Sequence, residues 1–291
     1  MIFADDIILL SASRTGLQAM VNTCYDFALS KNLKFGTNAD PSKSKTKCIH
    51  FSKKRFNTMS LGNITLGGDS LPWVSQIKHL GHILQENNSM KIDIAQKRAA
   101  YIGKVNSLLQ EFSNVSPSIL IKLVNTFAST VYGSNLWDVF SDECERLFTS
   151  YSVTIRNILK LHRCTHRYFI EPLSKTLHLK TMVLSKLVTF YRSLLQSDKL
   201  PVRFLARLQE HDERTVMGRT ITKLSSICNV DRTKISAAVV KAKLCFRQIP
   251  DSERWRESIA NELLRVREAD VEVPGFTNDE ISEILDYVCI S

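Results

Sequence analysis

Apolar residues recur along this chain in two rhythms. At the start, Ile2, Phe3 and Ala4 and then Ile7, Ile8, Leu9 and Leu10 form a run interrupted only by Asp5 and Asp6. The run suits paired strands facing a core, with Asp-Asp at the turn between them. The rhythm then changes: Leu17, Met20, Val21, Cys24, Phe27 and Ala28 recur at steps of three and four and predict an amphipathic helix buried by that face. A polar stretch, GTNADPSKSKTK, leads into Cys48 to Phe51, a short strand before the cluster Lys53, Lys54 and Arg55. Further short strands are expected at Ile64 to Leu66, in LPWV and in IKHLGHIL, separated by the turn Gly67-Gly68-Asp69.

Beyond about residue 85 the alternation stops. Ile94, Tyr101, Val105, Leu108 and Phe112 share one helical face. Leu120, Val124, Phe127 and Val131 share another, opened by Ser116-Pro117 as cap and first helical residue and ended near Gly133. Leu147, Tyr151, Ile155 and Ile158 make a third face. Helices are also expected around 178–196, 231–246 and 251–268, with a short one at 278–288 after Pro274-Gly275. The pattern predicts an α+β chain in which a small region of hairpins and one helix precedes a larger all-helical part.

Composition narrows the class. With 291 residues, of which 44% are hydrophobic, the chain can build a sizeable core. Its seven cysteines are scattered without a C-x-x-C, and Asp5 and Asp6 break the apolar N-terminal run, so no signal peptide is read. An intracellular setting, nucleus or cytoplasm, is expected. Charge breaks every apolar stretch well short of the roughly 18 residues that a membrane span needs, so no membrane association is expected.

The net charge is +10, and its placement says more than its size. Residues 146–207 hold twelve basic and only two acidic side chains, whereas residues 251–291 hold four basic and eleven acidic ones. Within the basic segment Arg156, Lys160, Arg163 and Arg167 recur at three- and four-residue steps. A solvated helix face explains such spacing, but soluble faces usually mix signs, so contact with a nucleic-acid backbone is the favoured reading. His162, Cys164 and His166 alternate as ligands on a strand would, yet no second Cys/His pair stands at ligand distance and no metal is expected there. Trp73, Trp137 and Trp255 are too scattered for a base-stacking platform and are read as packing residues.

Asp5 and Asp6 admit two explanations from their own chemistry: a hairpin tip in water, or two carboxylates held rigidly to bind Mg²⁺, which prefers oxygen ligands. The order of features bears on the choice. F-A-D-D on a hairpin, a helix, a loop carrying K-T-K before a strand, a hairpin containing H-L-G and then basic helices resemble the C-terminal palm and thumb of reverse transcriptases of non-long-terminal-repeat retrotransposons. The likeness covers residues 1 to about 85 most closely and continues more loosely to 210; the final stretch from Arg265 is similar to the ends of such polyproteins.

The resemblance implies a partial polymerase palm over residues 1–86, a helical thumb-like region over 87–210 and a C-terminal helical region over 211–291. It implies RNA-directed DNA polymerase chemistry with Mg²⁺, or alternatively Mn²⁺, held by Asp5 and Asp6, and an RNA template and DNA primer as partners. Lys45 would stand near the triphosphate and Lys47 beside the nucleic acid, while His79, Leu80 and Gly81 would form the primer grip. On residue chemistry alone these lysines are solvated loop groups, Leu80 and Ile83 pack, and His79 and His82 lie at the surface. Two-metal nucleotidyl transfer needs carboxylates on both sides of the metal pair. In the family an earlier strand supplies the other aspartate and fingers segments supply the nucleotide pocket, so both would precede Met1. Neither Asp26, on a helix, nor Asp40, in a loop expected to be mobile, sits where it would replace that aspartate. The chain is therefore expected to be a 5′-truncated element or a fragmentary gene model, inactive as a polymerase by itself. The alternative is a non-catalytic remnant that binds nucleic acid through the basic helices.

Overall fold

Short hairpins form where the sequence has turn residues, in a computed structural model that describes residues 2–3, 6–38, 40–52, 62–165, 167 and 170–244. β1 (Ile2–Phe3) and β2 (Asp6–Ile7) pair antiparallel, with Phe3 opposite Asp6. β3 (Ile64–Leu66) and β4 (Asp69–Leu71) pair across Gly67 and Gly68, whose φ values of 60° and 94° suit a two-residue hairpin turn. β5 (Gln76–His79) and β6 (His82–Gln85) make the third hairpin. Helices supply the rest, so the chain is α+β. It divides into two compact units, residues 1–93 and 94–291.

In the first unit α1 (Arg14–Ser30) starts at Ser13, whose hydroxyl accepts the Gly16 amide at 3.1 Å. Val21 of α1 is buried with Cys48, Ile64, Leu66 and Leu71, and Leu9, Leu17, Tyr25, Phe35 and Trp73 pack around them. Gln18 ties helix to sheet: its side-chain amide donates to the Thr65 carbonyl at 2.8 Å and accepts the Thr65 amide at 2.9 Å, as a neighbouring strand would. Gly67 has no room for a side chain, since a Cβ there would lie 2.5 Å from the Tyr25 ring.

Three expectations for this unit are corrected. Phe27 is 62% exposed, because the face of α1 that meets β3 runs through Tyr25. Ile7 and Leu10 are exposed and the paired strand ends at Ile7, so the apolar run supplies Leu9 to the core. The strand expected at Cys48 to Phe51 is a single parallel bridge: the Cys48 amide donates to Pro72 and its carbonyl accepts from Val74. Asp40 is exposed, its carboxylate accepting the amide and the hydroxyl of Ser42 at 2.8 and 2.7 Å.

The helical part runs through α2 (Lys91–Glu111), α3 (Pro117–Leu123) with a π-helical turn over Val124–Ala128, and α4 (Asp142–Ile158). It continues with α5 (Ile170–Ser174), α6 (Leu179–Leu195), α7 (Leu200–His211), α8 (Val216–Cys228) and α9 (Ala237–Leu244). Ile94, Tyr101 and Val105, then Leu120 and Val124, then Leu147, Tyr151, Ile155 and Ile158 are buried as their spacing predicts. Ser116 and Pro117 open α3 as cap and first residue. Leu108 and Phe112 are only half-buried, and Phe127 is 58% exposed. The helix around 178–196 forms; that around 231–246 becomes a 3-10 turn at Arg232–Lys234 followed by α9. α5, α7 and α8 fall outside the helices that the sequence predicts, and the helices expected at 251–268 and 278–288 lie outside the described residues. No helix among the described residues is long and apolar enough to cross a membrane.

α6 is the centre of the second unit, packed against α4, α7, α9 and the turn Ser134–Leu136. Its first amides are buried and need a partner. His178 supplies one: Nδ1 accepts the Lys180 amide at 3.2 Å, which leaves Nε2–H to donate to the Ser152 hydroxyl at 2.9 Å. Tyr151 meets the imidazole edge-on at 5.3 Å between centroids. Burial, with smaller contributions from Arg167, Lys180 and Arg156, pushes the His178 pKa down from 6.5 to about 4.

A pH dependence follows from this histidine. Between pH 6.5 and 4 the unfolded chain takes up a proton that folded His178 refuses. The stabilisation, about 3 kcal/mol by the size of the shift, is complete above pH 6.5 and disappears as pH falls through 4. Denaturant titrations across this range should show that loss in the native chain. His178→Gln should cost roughly 1 kcal/mol at pH 7, as other cap losses do, and flatten the acid limb; an unchanged acid limb would contradict the assignment.

Candidate nucleic-acid interface

The sites expected from sequence fall into three groups, and the structure treats each differently. Of the two aspartates only Asp6 is among the described residues; it is exposed at the start of β2, opposite Phe3. Asp26 is likewise exposed, on α1. Among the described residues no group of three or more His, Cys, Asp or Glu is placed to share a metal ion. The described donor set at Asp6 is one carboxylate, of the right chemistry for Mg²⁺ but too few oxygens for a centre.

The loop of Lys45 and Lys47 is built around its own polar groups. Ser44, 3% exposed, accepts the Asn38 amide at 3.3 Å and donates to the Thr46 carbonyl at 2.7 Å. The Thr46 amide donates to Gly36 at 3.0 Å, and the Lys45 stem lies against Gly36, 3.2 Å from where a Cβ would stand. Hydrogen bonds from Ser42, with help from the Lys47 charge, hold the Asp40 carboxyl below its usual range. Lys45 is exposed and Lys47 is half-buried, and among the described residues neither forms an ion pair with Asp6.

The H-L-G hairpin reverses the expected roles. Leu80 and Gly81 form the turn with φ of 44° and 78°, and Leu80 is 37% exposed at the tip. A two-residue turn of this kind demands positive φ at both positions, which Gly81 accepts and Leu80 tolerates at a cost. His82, 7% exposed, is the buried one. Its Nδ1 lies 3.2 Å from Asp93 Oδ2, while Asp93 Oδ1 accepts the Ile83 amide at 3.1 Å. Asp93 is 1% exposed in the first turn of α2, so one carboxylate fastens the returning strand of the hairpin just after its turn. Ile83 is buried as expected, and His79 is half-buried across from His82.

The basic series does not lie along one helix. α4 ends at Ile158, and Lys160 turns left-handed with φ of 53° while the Leu161 amide closes back on the Arg156 carbonyl at 2.9 Å. Arg156 Nε donates to the Thr165 carbonyl at 2.8 Å, which folds the loop against the last turn of α4. Arg156 is thereby a structural clamp, with its pKa lowered by burial. Lys160, Arg163 and Arg167 are exposed around this fold-back. The end of α4 carries the negative pole of the helix dipole, which accommodates cations there without any ligand. His162 and Cys164 sit in a turn, the Cys164 amide donating to His162 Nδ1 at 3.3 Å, and so are not strand residues; His166 lies outside the described residues. Trp137 is fully buried and Trp73, half-buried, donates to the Gly62 carbonyl at 3.1 Å.

Comparison with protein-family models, with curated proteins and with solved structures finds no match for this chain. The α+β architecture and the surface chemistry are accordingly the grounds for any functional reading.

The hairpin makes its own test. Replacing Leu80 by Gly should stabilise the first unit by about 1 kcal/mol, by removing the left-handed cost. Asp93→Ala leaves the Ile83 amide without its acceptor and should destabilise it by roughly 2 kcal/mol, with faster hydrogen exchange at that amide. Unchanged exchange at Ile83 in the Asp93 variant would contradict the anchoring role.

Proposed function

We propose that this chain binds nucleic acid as a palm-and-thumb fragment of an RNA-directed DNA polymerase of the non-long-terminal-repeat type, without nucleotidyl transfer of its own. The observation that carries the reading is the exposed cation cluster of Lys160, Arg163 and Arg167 at the fold-back after α4, in a segment almost without acids. Three cations gathered at one loop suit successive phosphates on a duplex better than they suit a solvated helix face, because the loop places them at one end of a rigid helix.

The polymerase descent is supported by order along the chain. A hairpin bearing Asp6, the Lys45 and Lys47 loop and the Leu80-Gly81 hairpin come first, and basic helices follow. In that reading Asp5 and Asp6 would be Mg²⁺ ligands, and further carboxylates would be needed to complete a centre for nucleotidyl transfer. Lys45 approaches the triphosphate, and Lys47 with the His79, Leu80 and Gly81 tip meets the primer. RNA template and DNA primer are the partners. The residual non-catalytic reading shares the cation cluster and differs only in whether a complementing segment restores chemistry.

Two measurements test this. The chain of residues 1–291 should incorporate no nucleotide on a primed RNA template with Mg²⁺ or Mn²⁺, since one side of the clamp is insufficient; extension abolished by Asp5→Ala or Asp6→Ala would overturn the inactivity. In binding assays Lys160→Gln, Arg163→Gln and Arg167→Gln together should weaken duplex binding about equally for all sequences. Neutralising Arg254, Arg256, Arg265 and Arg267 in the acidic segment should do much less. Equal losses from the two sets would mean that net charge alone, and not the cluster, attracts the ligand.

A further inference from the structure

A second cationic surface lies on α2, and it carries aromatic rings. Lys97 and Lys104 are seven residues apart, about two helical turns, and so emerge on one side of the helix roughly 10 Å apart. The segment after α3 runs along that side. Lys97 Nζ lies over the Tyr132 ring, 5.4 Å from its centroid, and Lys104 Nζ donates to the Phe127 carbonyl at 3.4 Å. Phe127 and Tyr132 are 58% and 62% exposed, although Val124, Ala128 and Val131 between and beside them are buried. The π-helical turn Val124–Ala128 accounts for Phe127: its wider winding gives the inward positions to Val124 and Ala128 and turns Phe127 out of the face that α-helical spacing would assign it. Tyr132 follows, just before Gly133 with φ of 73°.

We infer that Phe127 and Tyr132, flanked by Lys97 and Lys104, form a platform for single-stranded nucleic acid, in which unpaired bases stack on Phe127 and on the side of the Tyr132 ring away from Lys97, and the ammonium groups meet phosphates. Exposed aromatic faces offer an unpaired base what water cannot, and the sequence of that base matters little. A duplex keeps its base faces covered and cannot use the rings in this way. A protein partner is disfavoured by the same lysines, a residue type depleted where aromatic interface cores form. The inference rests on the nucleic-acid reading for its ligand class. It does not rest on the cations after α4 or on polymerase descent.

The test is anisotropy titration of the full chain with a labelled mixed-sequence single strand of about 12 nucleotides, and with a duplex of the same length. Phe127→Ala with Tyr132→Ala should raise the single-strand Kd about tenfold or more and leave the duplex Kd within about twofold. Phe127→Leu with Tyr132→Leu, which keeps apolar bulk, should lose single-strand binding to a similar degree. Lys97→Gln with Lys104→Gln should reduce the single-strand salt slope by up to about 1.4. Because both rings are exposed, the thermal midpoint should stay within a few degrees, which separates lost binding from lost folding. Unchanged single-strand binding in both ring variants, or equal loss for duplex and single strand, overturns the platform while leaving duplex binding through the α4 loop standing. A chain that binds neither probe overturns both.

Discussion

Burial of α6 on several faces is the constraint around which the larger unit is arranged. Leu179, Val183, Leu184, Leu187, Val188 and Tyr191 are each at most 1% exposed, so this helix must be surrounded, and α4, α7, α9 and the turn before α4 do so. Its polar groups then have to be satisfied without water. Ser185 and Thr189 hydroxyls donate back to carbonyls one turn earlier, and His178 meets the amide of Lys180. Near the other end Arg192 Nε donates to the Ile235 carbonyl at 3.0 Å and its Nη2 reaches Thr233 as well, stapling the approach to α9.

The same packing decides where the positive charge goes. A segment with twelve basic and two acidic residues cannot place its cations inside, and few acids are available to pair them. Arg156 is engaged by the Thr165 carbonyl and Lys180 by Glu145, and Lys160, Arg163 and Arg167 are exposed. The acids of α4 are gathered in its first turn, at Asp142, Glu143 and Glu145, and its last turn carries Arg156. Both placements complement the helix dipole, and they also separate negative from positive charge along one rigid element. A polyanion approaching the C-terminal end of α4 therefore meets cations with little opposing charge.

Much of the fold was legible because strongly periodic apolar residues leave few choices. The faces of α2 and α4, the Ser116-Pro117 start of α3 and the Gly67-Gly68 hairpin all follow from spacing or turn chemistry. α7 was legible in the helical spacing of Leu200, Phe204, Leu205 and Leu208, but the structure leaves that stripe exposed and among the described side chains buries only Ala206. α8 was hidden because Gly218 and Thr220 share its buried side with Ile221, Leu224 and Cys228, which dilutes the period. The roles of Leu80 and His82 were exchanged since a turn needing positive φ overrides the preference of leucine for the core, and Asp93, eleven residues away, gives His82 a buried partner. Of the site residues, the basic series was legible as charge but not as geometry: the left-handed Lys160 that ends the helix has no glycine or asparagine to announce it.

The claim at the centre of this account is that localised cations, and not the overall charge, meet nucleic-acid phosphates. The most direct measurement is the dependence of the duplex association constant of the unmodified chain on salt. Three phosphate contacts from Lys160, Arg163 and Arg167 predict a slope of log K against log salt near −2.7, constant across duplex sequences. A slope close to zero, or binding that requires one particular sequence, would contradict it.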